Sequence, residues 1–133
     1  MARKARDKTP KSEGPMTAFH GTDITSARNI LQGEKLDVAK ATAKKIDGPP
    51  GFFLATEVAD AEFFALRRVP GGILEFILSP KAVEQLKSFG AVRRPIPPGK
   101  TARFIGDEFV IPTEAFECFN QLREAGEIVV KPH

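Results

Sequence analysis

Proline and glycine cut the apolar residues of this chain into runs too short for most architectures. MTAFHG (16–21), GFFLAT (51–56), ILEFILS (73–79), EFVIP (108–112) and EIVVKP (127–132) are each of strand length and bounded by turn formers. Helical patterns fall in all four of the intervals. Ile24, Ala27, Ile30 and Leu31 share a face over about 24–33, with Asp23 placed to cap and Gly33 to stop. Val58, Ala61, Phe64 and Ala65 or Leu66 do so over 57–68, and 80–90 opens with Pro80 in the first turn and closes at Gly90. TEAFECFNQLREAG (113–126) reads as a capped amphipathic helix. Residues 34–50 read as a lysine-rich loop with room for one helical turn near 38–44, and RRPIPPGK (93–100) as a loop with three prolines. Several connections are too short or too prolyl for parallel crossovers. The pattern therefore favours α+β with antiparallel or mixed pairing over a doubly wound sheet. Neither common type of phosphate-binding glycine loop is present, which excludes dinucleotide binding by a parallel fold.

At 133 residues the chain suits one domain with a core that needs neither disulfide nor metal. The expected boundaries are a disordered basic leader at 1–15 and a domain at 16–133. No apolar run approaches the roughly 20 residues that cross a bilayer, and the N-terminus lacks the apolar stretch of a signal peptide. Cys118 is the only cysteine, so no internal disulfide and no cysteine metal cluster is expected, and the cytoplasm is the default location. Arg3, Lys4, Arg6, Lys8 and Lys11 outnumber Asp7 and Glu13 by three, the whole net charge of +3. Residues 16–133 are thus balanced, and a nucleic-acid partner gains little support from charge. Trp and Tyr are absent while Phe occurs 11 times, so any stacking platform must be built from Phe.

Three places offer chemistry. Phe19-His20-Gly21-Thr22 sets a ring nitrogen, an accessible backbone and a hydroxyl at the end of an apolar strand. Its plain structural reading is a strand-to-helix corner with Thr22 or Asp23 as cap. In Gly51-Phe52-Phe53-Leu54-Ala55-Thr56, alternation sends Phe52 and Phe53 to opposite faces. One ring can join the core and the other line a cleft, where a facing pair could sandwich a flat heteroaromatic; the plain reading is that all these rings are core. In Gly106-Asp107-Glu108-Phe109-Val110-Ile111-Pro112 two carboxylates enter an apolar strand, and one at a cleft rim could stabilise positive charge developing on a ribose carbon. The plain reading there is an ordinary exposed strand start.

The order of these motifs resembles the ADP-ribosyltransferase superfamily, in the histidine–tyrosine–glutamate branch shared by diphtheria-type toxins and poly-ADP-ribose polymerases. The resemblance runs from about Phe19 to Pro112. It implies a split antiparallel or mixed β-sandwich flanked by short helices, and NAD⁺ consumed as co-substrate without a metal. His20 would bond a ribose hydroxyl, Gly21 the nicotinamide amide through its backbone, and Thr22 a ribose. Phe53 stands at the family's stacking tyrosine, Phe64 fits the second ring of the sandwich, and Thr56 belongs with them on the cofactor side. Glu108 falls on the catalytic glutamate, with Asp107 as a rival.

Phe53 lacks the tyrosine hydroxyl, and Gly106 stands where arginine-modifying members carry a first glutamate, which disfavours an arginine acceptor. The resemblance thus implies transfer of ADP-ribose to an acceptor, macromolecular by expectation, in a compact bacterial toxin or effector with an immunity or antitoxin protein as a further partner. Alternatives within reach are an RNA 2′-phosphotransferase, with Arg93, Arg94 and Arg103 as phosphate candidates, a small antibiotic-modifying transferase, and a non-catalytic ADP-ribose-binding module.

Overall fold

A computed structural model of the chain describes residues 15–44, 48–66, 70–98 and 103–133. The expected basic leader, apart from Pro15, lies outside the described residues, as do residues 45–47 and 99–100 of the two expected loops, residues 101–102, and residues 67–69, the first two of which end the helix expected at 57–68. The elements run β1 (Met16–Asp23), α1 (Ile24–Leu31), α2 (Val38–Ala43), β2 (Gly51–Ala55), α3 (Val58–Leu66), β3 (Gly71–Leu78), α4 (Pro80–Ser88), β4 (Val92–Pro95), β5 (Asp107–Pro112), a 3₁₀ turn (Thr113–Ala115), α5 (Phe116–Glu124) and β6 (Ile128–Pro132).

Local chemistry fixes most of these ends. The Asp23 carboxylate accepts from the Ser26 amide at 2.7 Å, capping α1 as expected. Ser79 caps α4 ahead of Pro80, accepting from the Ala82 amide at 3.0 Å. The expectation for 113–126 needs correcting at its start, because the 3₁₀ turn and α5 have no side-chain cap there. The chain instead leaves β5 through Pro112 and tightens into the 3₁₀ turn before widening. The one turn foreseen near 38–44 is a short helix, with Asp37 accepting from the Ala39 amide.

The six strands form one sheet in the order β4-β5-β2-β1-β3-β6, and every pairing is antiparallel. This corrects the expected sandwich, since the described residues form one sheet with helices on it, and among them no mixed pairing occurs. It also corrects the loop at 93–100, whose first residues belong to β4. Prolines are tolerated there because β4 is an edge strand and need not donate on its outer side. β1 and β2 share a single register pair, Phe19 with Ala55, while β1 and β3 pair over eight residues. The β1–β2 seam is thus narrowly paired within the sheet.

The register divides the two faces. Ala18, Leu54, Leu74, Phe76, Phe109 and Ile111 are buried on one face under Ala27 and Ile30 of α1, Leu86 of α4 and Phe119 of α5. Each large apolar side chain buried there stabilises the fold by about 1.5–3 kcal/mol. The other face carries a smaller cluster of Ala55, Ala61 and Ile96, against which Phe19, Phe64, Ile73 and Phe104 pack. Gly21 permits this second layer. A Cβ there would lie 2.0 Å from the Ala61 carbonyl oxygen, so only glycine lets α3 rest on β1.

Candidate functional site

The three motifs stand on the neighbouring strands β1, β2 and β5. His20 sits where β1 and β2 part, one residue beyond their only register pair. Its Nδ1 lies 2.9 Å from the Phe53 carbonyl oxygen, so the side chain bridges the seam that backbone pairing leaves open. A carbonyl only accepts, which places the ring proton on Nδ1 in this contact. The ring also stacks on Phe52, with centroids 4.3 Å apart. Orientation is therefore imposed on the imidazole from two sides.

Phe52 and Phe53 separate as alternation requires. Phe52 is buried and meets Phe76 and Phe119 edge-on, whereas Phe53 is partly exposed on the opposite face. The expected second ring is engaged elsewhere. Phe64 stacks on Phe104 with centroids 5.4 Å apart and planes 9° apart, and Phe63 meets both rings edge-on. Among the ring contacts of the described residues, Phe53 and Phe64 do not pair. Nothing in the spacing of 53 and 64 pointed to Phe104, which comes from the far side of the sheet sequence.

Glu108 is 7% exposed, unlike an ordinary strand start. It pairs in register with Ala55, itself opposite Phe19, so its side chain shares the α3 face with Phe53. The Arg94 Nε donates to Glu108 Oε2 at 2.9 Å across the β4–β5 ladder. One residue earlier on each strand, Arg93 Nε donates to Asp107 Oδ2 at 2.8 Å on the opposite face. Arg94 stands directly opposite Glu108 in register, whereas Arg93, opposite Phe109, reaches Asp107 diagonally. Asp107 is only half-buried, and its amide and carbonyl are held by the Thr56 hydroxyl and amide at 3.0 and 2.8 Å.

The structure therefore joins some of the expected residues and separates others. His20 and Phe53 touch, and Phe53 and Glu108 share a face two register positions apart on adjoining strands. His20 leaves β1 on the other face, with Leu74 as its register partner and Phe52 as its stacking partner. Thr22 is 7% exposed beside it, and Gly21 lies under α3. Neither face of the sheet presents both His20 and Glu108. Among the described residues no cluster of three His, Cys, Asp or Glu side chains is placed to hold a metal ion. A groove of about 780 Å³ between α1, α3 and β3, lined by Arg28, Leu31, Leu66 and Ile73, includes none of the three motif residues.

Compared with protein-family models, curated proteins and solved structures, the chain matches none.

Proposed function

We propose that this chain transfers ADP-ribose from NAD⁺ to a macromolecular acceptor and releases nicotinamide. The observation that carries the reading is the burial of Glu108 on the sheet face that also carries Phe53, one strand away from the β1–β2 seam. Burying a carboxylate costs several kcal/mol unless it is paired and hydrogen-bonded, and the Arg94 guanidinium supplies that pairing at 2.9 Å, so the sheet face can hold a carboxylate at this position. A carboxylate held in a water-poor sheet face has its largest effect on a nearby cation that develops only in the transition state.

In this reading the nicotinamide riboside of the dinucleotide lies toward Phe53 and Glu108 on the face they share. The bond between C1′ and the nicotinamide nitrogen breaks, and its electron pair leaves with nicotinamide, neutralising the pyridinium. Glu108 stabilises the resulting oxocarbenium-like ribose. The acceptor nucleophile then bonds to C1′ and gives up its proton to Glu108 or to solvent. Asp107 is the weaker candidate because it lies on the opposite face with Arg93. Phe64 joins a sandwich only by giving up its stack on Phe104, so Phe53 alone carries the ring contact at the outset. A toxin or effector role, with an immunity protein over the seam, belongs to the same reading.

A second reading, a non-catalytic ADP-ribose-binding module, is favoured by two contacts: Glu108 is occupied by Arg94, and Phe64 by Phe104. An RNA 2′-phosphotransferase gains less, since Arg93 and Arg94 both face carboxylates. The test is incubation of the protein with adenylate-labelled NAD⁺ and cell lysate, following nicotinamide release and the fraction that takes up label. Release with labelled protein, nucleic acid or small molecule supports transfer and names the acceptor class. Binding of NAD⁺ or ADP-ribose without release, across lysates, supports the module instead.

A further inference from the structure

We infer that Asp60 is a positioning residue for Glu108, a role that rests on the functional reading above. Asp60 is the third residue of α3 and is 3% exposed, yet it carries a carboxylate. Its two oxygens each accept one backbone amide from the segment leading into β5: Ile105 at 3.0 Å and Gly106 at 2.9 Å. The next amide, Asp107, donates to the Thr56 hydroxyl at 3.0 Å, and the Thr56 amide returns a bond to the Asp107 carbonyl at 2.8 Å. Three consecutive amides are thus held by the β2–α3 junction, and the residue that follows them is Glu108.

The joint is close as well as bonded. A Cβ on Gly106 would stand 2.5 Å from Glu57 Cγ and 2.7 Å from Thr56 Oγ1, so the backbone runs directly against the junction. The buried charge of Asp60 is offset by the two amides and by its place in the first turn of α3, where the helix dipole favours an anion. A neutral side chain could fill the same space. Only an acceptor with two oxygens holds both amides, and doing so fixes where β5 begins and hence where the Glu108 carboxylate stands. Catalysis by positioned charge is sensitive to such placement, since displacement by about 1 Å costs on the order of 100-fold in rate.

The test is nicotinamide release from NAD⁺, with cell lysate as acceptor source, by the full-length wild type and Asp60→Asn, alongside amide hydrogen exchange at Ile105 and Gly106. Asparagine keeps the shape but turns an NH₂ toward one of the two amides. The expected result is kcat lowered on the order of 100-fold, KM for NAD⁺ within about twofold of wild type, and faster exchange at the two amides. A purely structural anchor would lower stability and leave the kcat of the folded fraction unchanged, which overturns the inference. If Asp60→Asn does not fold, Gly106→Ala strains the same joint, and a normal kcat in that variant overturns it equally. Absence of turnover by wild type overturns the functional reading and the role of Asp60 with it. Wild-type turnover matched by Asp60→Asn overturns the role of Asp60 alone.

Discussion

Replacing Gly21 with alanine should destabilise the protein far more than one methyl group suggests. The new Cβ would lie 2.0 Å from the Ala61 carbonyl oxygen, 2.9 Å from the Ala65 amide nitrogen and 3.0 Å from the Ala61 carbonyl carbon. Comfortable carbon contacts begin near ~3.5 Å, so α3 must withdraw by more than about 1 Å. All three atoms are helix backbone, and no rotamer change can move them aside. The helix is also pinned, with Ala61 and Ala65 buried against the sheet and Asp60 bonded to Ile105 and Gly106. Overpacking costs about 1–3 kcal/mol where side chains can yield, and this site sits at the top of that range. Urea unfolding followed by circular dichroism should show a lower midpoint at unchanged slope, and Tm should fall on the order of 10 °C. Gly33→Ala is the control: nothing lies within 4 Å of its added Cβ, and its φ is +110°. It should lose only the left-handed strain of about 1–2 kcal/mol. A Gly21→Ala loss below about 0.5 kcal/mol, the level of an inert surface change, would refute the packing argument.

Removing the Arg94 head group by Arg94→Met leaves Glu108 buried without its cation, which should cost about 1–3 kcal/mol in urea unfolding. Adding Glu108→Gln should restore much of it, because the cost lies in the abandoned charge. An Arg94→Met variant as stable as wild type would show that the pair holds nothing. Burial pushes the Cys118 thiol above its ordinary range, so less thiolate is present at pH 8 than for an exposed cysteine. Its reaction with a disulfide reagent should be slower than that of a small free thiol at pH 8 and accelerate as pH rises; equal rates at pH 8 would contradict this.

What the sequence revealed was local. Alternation in GFFLAT separated Phe52 from Phe53, and Asp23 and Pro80 marked helix starts that the structure keeps. What it hid was pairing. VRRP carries no alternating apolar pattern, and its strand character comes from register with β5, a partner beyond a prolyl stretch. Asp60 carries no signal in the sequence, because its amide partners lie 45 and 46 residues away. The expected sandwich of Phe53 and Phe64 followed from the family resemblance, whose motifs say nothing of Phe104. Motif order placed His20 and Glu108 in one constellation, but only cross-strand register reveals that they leave the sheet on opposite faces. Residue types and order survive in a linear reading, whereas face and partner depend on how strands meet.

The most direct test of the account is the initial rate of nicotinamide release at saturating NAD⁺, for wild type and Glu108→Gln, with NAD⁺ affinity measured on the same samples. Glutamine keeps the shape and loses the charge, so the account predicts kcat lowered by at least about 100-fold with NAD⁺ affinity nearly unchanged, because the interaction matters in the transition state. Equal rates in the two proteins would contradict the role given to Glu108 and, with it, the proposed function.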